Sequence, residues 1–231
     1  MKEIRFLKVE KPLGRRLAIS DIHGCYETFE ALLQQIQLQK EDHLYLLGDV
    51  VNRGKNSHLV LDKIIELKKL DYQVFLLRGN HEQLLLNARE KSKAKLKRAL
   101  QITKSENLYK EIDIRKRYVK LLSKSFHYLD LEDYYLVHAG FDFANPLPFE
   151  NTQAMMHIKS FKAKKRYLNG RKIVVGHSPQ PLKEIMRRVQ KGKRKLYIDN
   201  GCLNIQTKGQ GNLVCLNLDT LALSVQCNIE T

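Results

Sequence analysis

Leu44-Tyr45-Leu46-Leu47-Gly48-Asp49-Val50-Val51-Asn52-Arg53-Gly54 is the stretch on which the reading of this chain turns. Its first four residues form an unbroken apolar run with the length of a buried strand. The loop that follows presents a carboxylate, an amide and a guanidinium together at the strand's end. Such a loop can hold a metal ion and an anionic substrate side by side.

The flanking sequence repeats this design. Residues 15–20 read as a strand entering Asp21-Ile22-His23-Gly24, and a helix over 26–38 buries Phe29, Leu32, Leu33 and Ile36 at helical spacing. A second helix over 57–69 repeats Leu61, Ile64, Ile65 and Lys68 on that spacing. Val74-Phe75-Leu76-Leu77 then runs into Arg78-Gly79-Asn80-His81-Glu82. Three strand–loop–helix units predict an α/β core with neighbouring parallel strands, whose ligands gather at the carboxyl ends.

Residues 83–130 lack Gly and Pro, are rich in Lys, and read as two or three helices forming a cap beside those ends. Tyr134-Tyr135-Leu136-Val137 leads into His138-Ala139-Gly140, and Lys172-Ile173-Val174-Val175 into Gly176-His177. A loop is expected over 141–150, which contains Pro146 and Pro148. Strands are expected over 195–198, 213–218 and 222–226, with a turn at Asp219-Thr220.

At 231 residues the chain is read as one domain, 1–231. The absence of an apolar run of about 18 residues argues against a membrane span. The start, Met1-Lys2-Glu3-Ile4-Arg5-Phe6, lacks a signal-peptide core, so a cytoplasmic location is expected. Cys25, Cys202, Cys215 and Cys227 form no close pair and are read as buried thiols. The net charge is +16, and residues 157–195 carry 14 Lys or Arg against Glu184 alone. That span is a candidate surface for polyanions, or simply a solvated basic face.

Asp21, His23, Asp49, Asn80, His81, His138 and His177 all fall at strand ends, and four of the eight histidines are among them. This mixed oxygen and nitrogen set suits Mn, Fe or Zn. It is too large for one tetrahedral ion and suits two, with Asp49 as the natural bridge. Arg53 and Arg78 stand beside ligands and can clamp phosphate oxygens. His81 can protonate a leaving oxygen. His43, His58, His127 and His157 are read as structural, and Arg166 and Arg171 as surface charge.

Taken together, Asp21-x-His23-Gly24, Gly48-Asp49-x-x-Asn52-Arg53-Gly54, Arg78-Gly79-Asn80-His81-Glu82, His138-Ala139-Gly140 and Gly176-His177 resemble the motifs of calcineurin-like metallophosphoesterases. More narrowly, they resemble the phosphoprotein phosphatase branch and its small bacterial and phage (lambda-type) serine/threonine phosphatases. The resemblance implies a four-layer α-β-β-α sandwich of two mixed sheets. It also implies a first metal on Asp21, His23 and Asp49, and a second on Asp49, Asn80, His138 and His177. Arg53 and Arg78 would hold phosphate, His81 would be the general acid, and Asp199-Asn200-Gly201 would be a structural element.

Asn52 departs from the branch, where an aspartate pairs with the catalytic histidine. An amide brings no charge to stabilise an imidazolium, and losing a charged hydrogen bond costs roughly 1.5–3 kcal/mol. The leading expectation is a phosphatase of phosphoserine, phosphothreonine or phosphotyrosine proteins that depends on two divalent metal ions, Mn first with Fe or Zn as alternatives. The alternative is a dinucleoside polyphosphate (diadenosine tetraphosphate-type) hydrolase, whose bacterial members tolerate a residue other than Asp here. A nucleic-acid phosphoesterase and a non-catalytic scaffold rank lower.

Overall fold

A computed structural model describes residues 4–110 and 113–230. In chain order its first elements are β1 (Phe6–Lys8), β2 (Arg16–Ile19), α1 (Tyr26–Gln35), β3 (His43–Leu46), α2 (Ser57–Lys69), β4 (Gln73–Leu76), α3 (Asn80–Lys91) and α4 (Lys93–Ile102). A 3-10 turn, Glu106–Leu108, and a ribbon of β5 (Tyr109–Lys110) and β6 (Asp113–Ile114) lead to α5 (Lys116–Ser123). There follow β7 (Tyr128–Asp130), β8 (Tyr134–Val137), α6 (Thr152–His157), α7 (Lys165–Leu168) and β9 (Lys172–Val175). The chain closes with α8 (Leu182–Gln190), β10 (Lys195–Tyr197), β11 (Asn212–Asn217) and β12 (Leu223–Cys227).

The strands form two five-stranded sheets, β12-β11-β2-β3-β4 and β1-β7-β8-β9-β10. Both are mixed: β2, β3 and β4 are parallel while β11 runs against β2, and β8, β9 and β10 are parallel while β7 runs against β8.

Alternation along the strands explains the layering, because successive side chains point to opposite faces. Ala18 and Tyr45 meet Leu136, Val174 and Leu196 between the sheets. Their neighbours Leu17, Ile19, Leu44 and Leu46 face outward onto Phe29, Leu32, Leu61 and Ile64 of α1 and α2. On the other side Tyr135, Val137, Ile173 and Val175 face Phe141, Phe143, Met155 and Leu168. Burial on both faces accounts for the unbroken apolar runs. The four-layer sandwich holds, with an aromatic loop and the short α6 and α7 covering the second sheet.

Several boundaries differ from the sequence reading. The helical insertion begins earlier, since α3 starts at Asn80 inside a motif expected to be loop. It also ends earlier, since β7 inside 83–130 belongs to a sheet. Its Leu85, Leu96, Leu100, Tyr118 and Leu122 join the cluster that contains α1 and α2, so the cap shares the main core. In α2, Leu67 is buried while Lys68 is exposed as a whole, its ammonium donating to the Val74 carbonyl. Cys25, Cys202 and Cys215 are buried, but Cys227 at the end of edge strand β12 is exposed. β1, α6, α7 and α8 had no clear sequence signal. The start of the expected leaderless N-terminus, residues 1–3, and residues 111–112 of the cap lie outside the described residues. No helix among the described residues is long and apolar enough to cross a membrane.

Candidate active site

Five strand ends converge at one edge of the sandwich. The loop after β2 delivers Asp21 and His23, that after β3 delivers Asp49, Asn52 and Arg53, and β4 leads to Asn80 and His81. The second sheet adds His138 after β8 and His177 after β9.

These loops turn sharply. Asp21, His23, Asp49, Asn52, Arg53 and His177 all hold φ between 49° and 73°, the left-handed region. Each such residue costs of order 1 kcal/mol or more and persists only where its surroundings fix it. Glu82 is what fixes the central loop. Its buried carboxylate accepts from the amides of Asp49 (2.8 Å), Val50 (2.9 Å) and Gly79 (2.8 Å). Gly79 itself has no room for a Cβ, which would collide with Asp49 Oδ1. Burial, with Asp49 nearby, pushes the Glu82 carboxyl up to about 7, against the amides that favour its ionised form.

Among the described residues two compact groups of donor atoms form, His23–Asp49–His81 and Asp49–His138–His177, and both include Asp49. Asp49 Oδ2 lies 3.4 Å from His138 Nε2 and 3.8 Å from His23 Nε2. Asn80 Oδ1 lies 3.1 Å from both His138 Nε2 and His177 Nδ1. His138 Nδ1–H donates to the Leu47 carbonyl (2.8 Å) and His23 Nδ1–H to that of Val51 (3.1 Å). Each ring thus turns its Nε2 toward Asp49, the orientation that metal-binding histidines hold. Burial pulls the His138 imidazole down, but Asp49 outweighs it and raises it to about 10. That is the mark of an anion-rich site suited to a cation. Asp21 stands outside both compact groups, although it lines the cavity over the site. Its Oδ2 accepts from Ser20 Oγ and from the amide of His177 (2.9 Å).

The cavity over these groups has a volume of about 440 Å³ and is lined also by Arg53, Asp199, Leu203 and Asn204. A sequence profile described as calcineurin-like phosphoesterase matches residues 14–216. The chain belongs to the calcineurin-like phosphoesterase family. Its residues 14–216 therefore belong to a family of metal-dependent hydrolases. A symmetrical bis(5'-nucleosyl)-tetraphosphatase of Salmonella arizonae is 46% identical over 69 residues, which are 29% of this chain and 23% of that protein. A namesake from Buchnera aphidicola is 43% identical over 65 residues, covering 28% and 23%. The chain thus matches under a quarter of the length of these curated relatives.

Among solved structures, a provisionally named diadenosine tetraphosphatase superposes with a TM-score of 0.72 at 20% identity, covering 99% of this chain and 100% of that one. A protein serine/threonine phosphatase from Saccharomyces cerevisiae gives 0.62 at 16%, covering 99% and 84%. A cold-active protein-tyrosine phosphatase from a psychrophilic Shewanella gives 0.61 at 18%, covering 96% and 81%. At these identities the superpositions speak to the calcineurin-like fold alone.

Within this calcineurin-like site the two arginines part company. Arg53 is exposed, lines the cavity, and has Nη1 3.4 Å from His23 Nε2. Arg78 was expected to clamp phosphate beside it; here its guanidinium points into the packing of α3 and α5. Its guanidinium is buried and donates to Ser125 Oγ (3.0 Å), Gln83 Oε1 (3.2 Å) and the Ser123 carbonyl (2.7 Å). It ties the carboxyl end of α5 to α3, and it does not line the cavity.

Asn52 is fully buried, and its amide orientation is held by a residue far away in sequence. Ser105 Oγ donates to Asn52 Oδ1 (2.7 Å), which leaves Nδ2 3.0 Å from His81 Nδ1. An NH₂ donating to Nδ1 places the proton of a neutral His81 on Nε2. Burial lowers the His81 imidazole, and Arg53 adds to the effect against Asp49.

Ser105 and the bracing role of Glu82 are what sequence reading missed. Glu82 carried a signal, a Glu three residues past the residue preceding a helix. Ser105 carried none. Asp199 accepts from the amide of Gly201 (2.7 Å), and Asn200 donates to the Gln180 and Gly209 carbonyls (2.8 and 2.9 Å), so this element holds a turn at the cavity wall. His157 is exposed and borders the site, whereas His127 is buried, its Nδ1 accepting from the Arg5 amide. Arg171 pairs with Asp130 (3.1 Å), and Arg166 lies over the Tyr167 ring.

Proposed function

We propose that this chain is a two-metal phosphohydrolase that acts on phosphoanhydrides, in particular dinucleoside polyphosphates. The observation that carries this reading is the Asn52–His81 contact. With the Asn52 NH₂ on Nδ1, His81 can donate a hydrogen bond from Nε2 but cannot become an imidazolium without losing its partner. A leaving alkoxide needs a proton. A leaving nucleotide phosphate, with its second pKa near about 6, does not.

The ligand roles proposed are Asp49 as the shared group, with Asp21 and His23 on one side and Asn80, His138 and His177 on the other. Divalent ions bound there, with Mn the first to try and Fe or Zn as alternatives, would supply a hydroxide at neutral pH. Arg53 would bind the phosphoryl oxygens, and its fixed fork suits the charge that builds on them. His81 would donate a hydrogen bond from Nε2 to the bridging oxygen while hydroxide forms the new bond to phosphorus and the old P–O bond breaks, with both of its electrons going to that oxygen. Asn52 would orient His81, and Ser105 would orient Asn52.

A phosphoprotein substrate is the second reading. It is favoured by the likeness of the whole fold to protein phosphatases, and aryl esters such as phosphotyrosine need less protonation than alkyl ones. Parallel turnover of diadenosine tetraphosphate and a phosphoserine peptide with each metal separates them. Faster turnover of the dinucleotide is expected, and faster turnover of the peptide would overturn the proposal. A cytoplasmic location and polyanion binding by residues 157–195 remain proposals from sequence.

A further inference from the structure

A second cavity, of about 470 Å³, lies between α3 and α4 beside the metal-donor cluster. We propose that it binds one nucleotide half of the substrate, with the base on its apolar floor and the phosphates against its cationic rim. This assignment rests on the anhydride reading above.

Leu84 and Ala88 of α3 and Ala99 and Ile102 of α4 form the floor. Leu84 is 44% exposed and Ile102 71% exposed, an apolar surface left in water around a concave site. Such a surface marks a binding site more often than a scattered exposed leucine does. Lys91, Lys95 and Arg98 stand on the rim. Among the described residues none of the three has an ion-pair partner. Helical spacing puts floor and rim on one face of each helix: 84, 88 and 91 on α3, and 95, 98, 99 and 102 on α4. Three unpaired cations held around an apolar patch suit a ligand that is both aromatic and multiply anionic.

The position suits the same ligand. Asn80 lines both cavities, and His157, on the far wall, contacts the His177 ring through its backbone. A polyphosphate leaving the metal-donor cluster therefore enters this cavity at Asn80, with the rim cations farther along α3 and α4. An extended peptide fits less well. The walls come from α3, α4, α6 and Thr103, so the cavity offers no sheet edge for main-chain pairing. A base needs only a face to stack on, which Arg98 or His157 can supply.

The test uses the full chain with Mn²⁺ and two variants, Lys95→Glu/Arg98→Glu and Ala99→Trp, which reverse the rim charge and fill the floor. Binding of ADP and of pyrophosphate is measured by calorimetry, and kcat/KM for diadenosine tetraphosphate and p-nitrophenyl phosphate is compared. The charge reversal is expected to weaken ADP binding at least tenfold and to lower the dinucleotide-to-aryl ratio of kcat/KM by a similar factor. Ala99→Trp is expected to weaken ADP at least tenfold and pyrophosphate less than twofold. ADP binding within twofold of wild type in both variants, in an enzyme that cleaves the dinucleotide, overturns the site and leaves the anhydride reading intact. Failure to cleave the dinucleotide, with ADP binding still lost in both variants, overturns that reading and leaves the site. A phosphopeptide that loses affinity tenfold while ADP does not overturns the nucleotide assignment.

Discussion

Asn52→Asp is the substitution that interrogates the site most directly. Asn52 presents NH₂ to His81 Nδ1 at 3.0 Å while its oxygen accepts from Ser105 Oγ at 2.7 Å. A carboxylate of nearly the same shape keeps the Ser105 bond and turns an acceptor on Nδ1. His81 then carries a proton on Nδ1 and can hold a second on Nε2 as an imidazolium. One charged hydrogen bond inside a buried site is worth about 1.5–3 kcal/mol, or roughly 10- to 150-fold in rate. That gain reaches the reaction only where the leaving oxygen needs a proton. Turnover of a phosphoserine peptide should therefore rise roughly 10- to 100-fold, with p-nitrophenyl phosphate rising less and diadenosine tetraphosphate staying within about threefold. The assay is steady-state kcat/KM for the three substrates across pH. Protonated His81 is the active acid in the variant, so its peptide rate should fall as pH rises through the new His81 pKa, a limb the native enzyme lacks. Ser105→Ala releases the amide to rotate and should move the same substrates in the same direction by a smaller factor. An equal effect of Asn52→Asp on all three substrates would refute the argument, because it would mean that Asn52 does not tune His81.

Glu82→Gln should remove at least one of the three amide bonds that hold the Asp49 loop and Gly79, costing about 3 kcal/mol; thermal unfolding and metal titration should show a lower Tm and weaker metal binding together. Arg53→Ala should lower kcat/KM by roughly 10²–10³ with little change in Tm, as loss of a phosphate donor does. Arg78→Ala should do the reverse, lowering Tm while phosphate inhibition changes little, since its donors serve Ser125, Gln83 and the end of α5. Burial works against the Asp42 charge, but hydrogen bonds from Arg15 and the Gln39 amide overcome it and hold the carboxyl below the usual range. A depressed acid contributes stability above its unfolded pKa of about 3.9 and loses it as pH falls through the folded value. Asp42→Asn should thus lower Tm at neutral pH by the equivalent of about 1 kcal/mol, given that Arg15 is partly exposed, and its Tm should converge with wild type in acid.

What the sequence by itself determined is what local patterns encode. The apolar runs of β2, β3, β4, β8 and β9 announced strands buried on both faces, and the polar residues directly after them were read as one site. The structure brings Asp49, His23, Asn80, His81, His138 and His177 within reach of one another because parallel strands of a sheet end on the same side. Tertiary structure alone decided how those residues are held. Arg53 and Arg78 look equivalent in sequence, each beside a ligand, but β4 feeds Arg78 under α5, whose open carbonyls take its guanidinium. The orientation of the Asn52 amide depends on Ser105, 53 residues later, and the second cavity exists because α3 and α4 pack as a hairpin over the same edge. Hydrogen-bond partners of that separation leave no periodicity in the chain. They arise only when packing brings two distant segments together, and at this site they set the proton on His81.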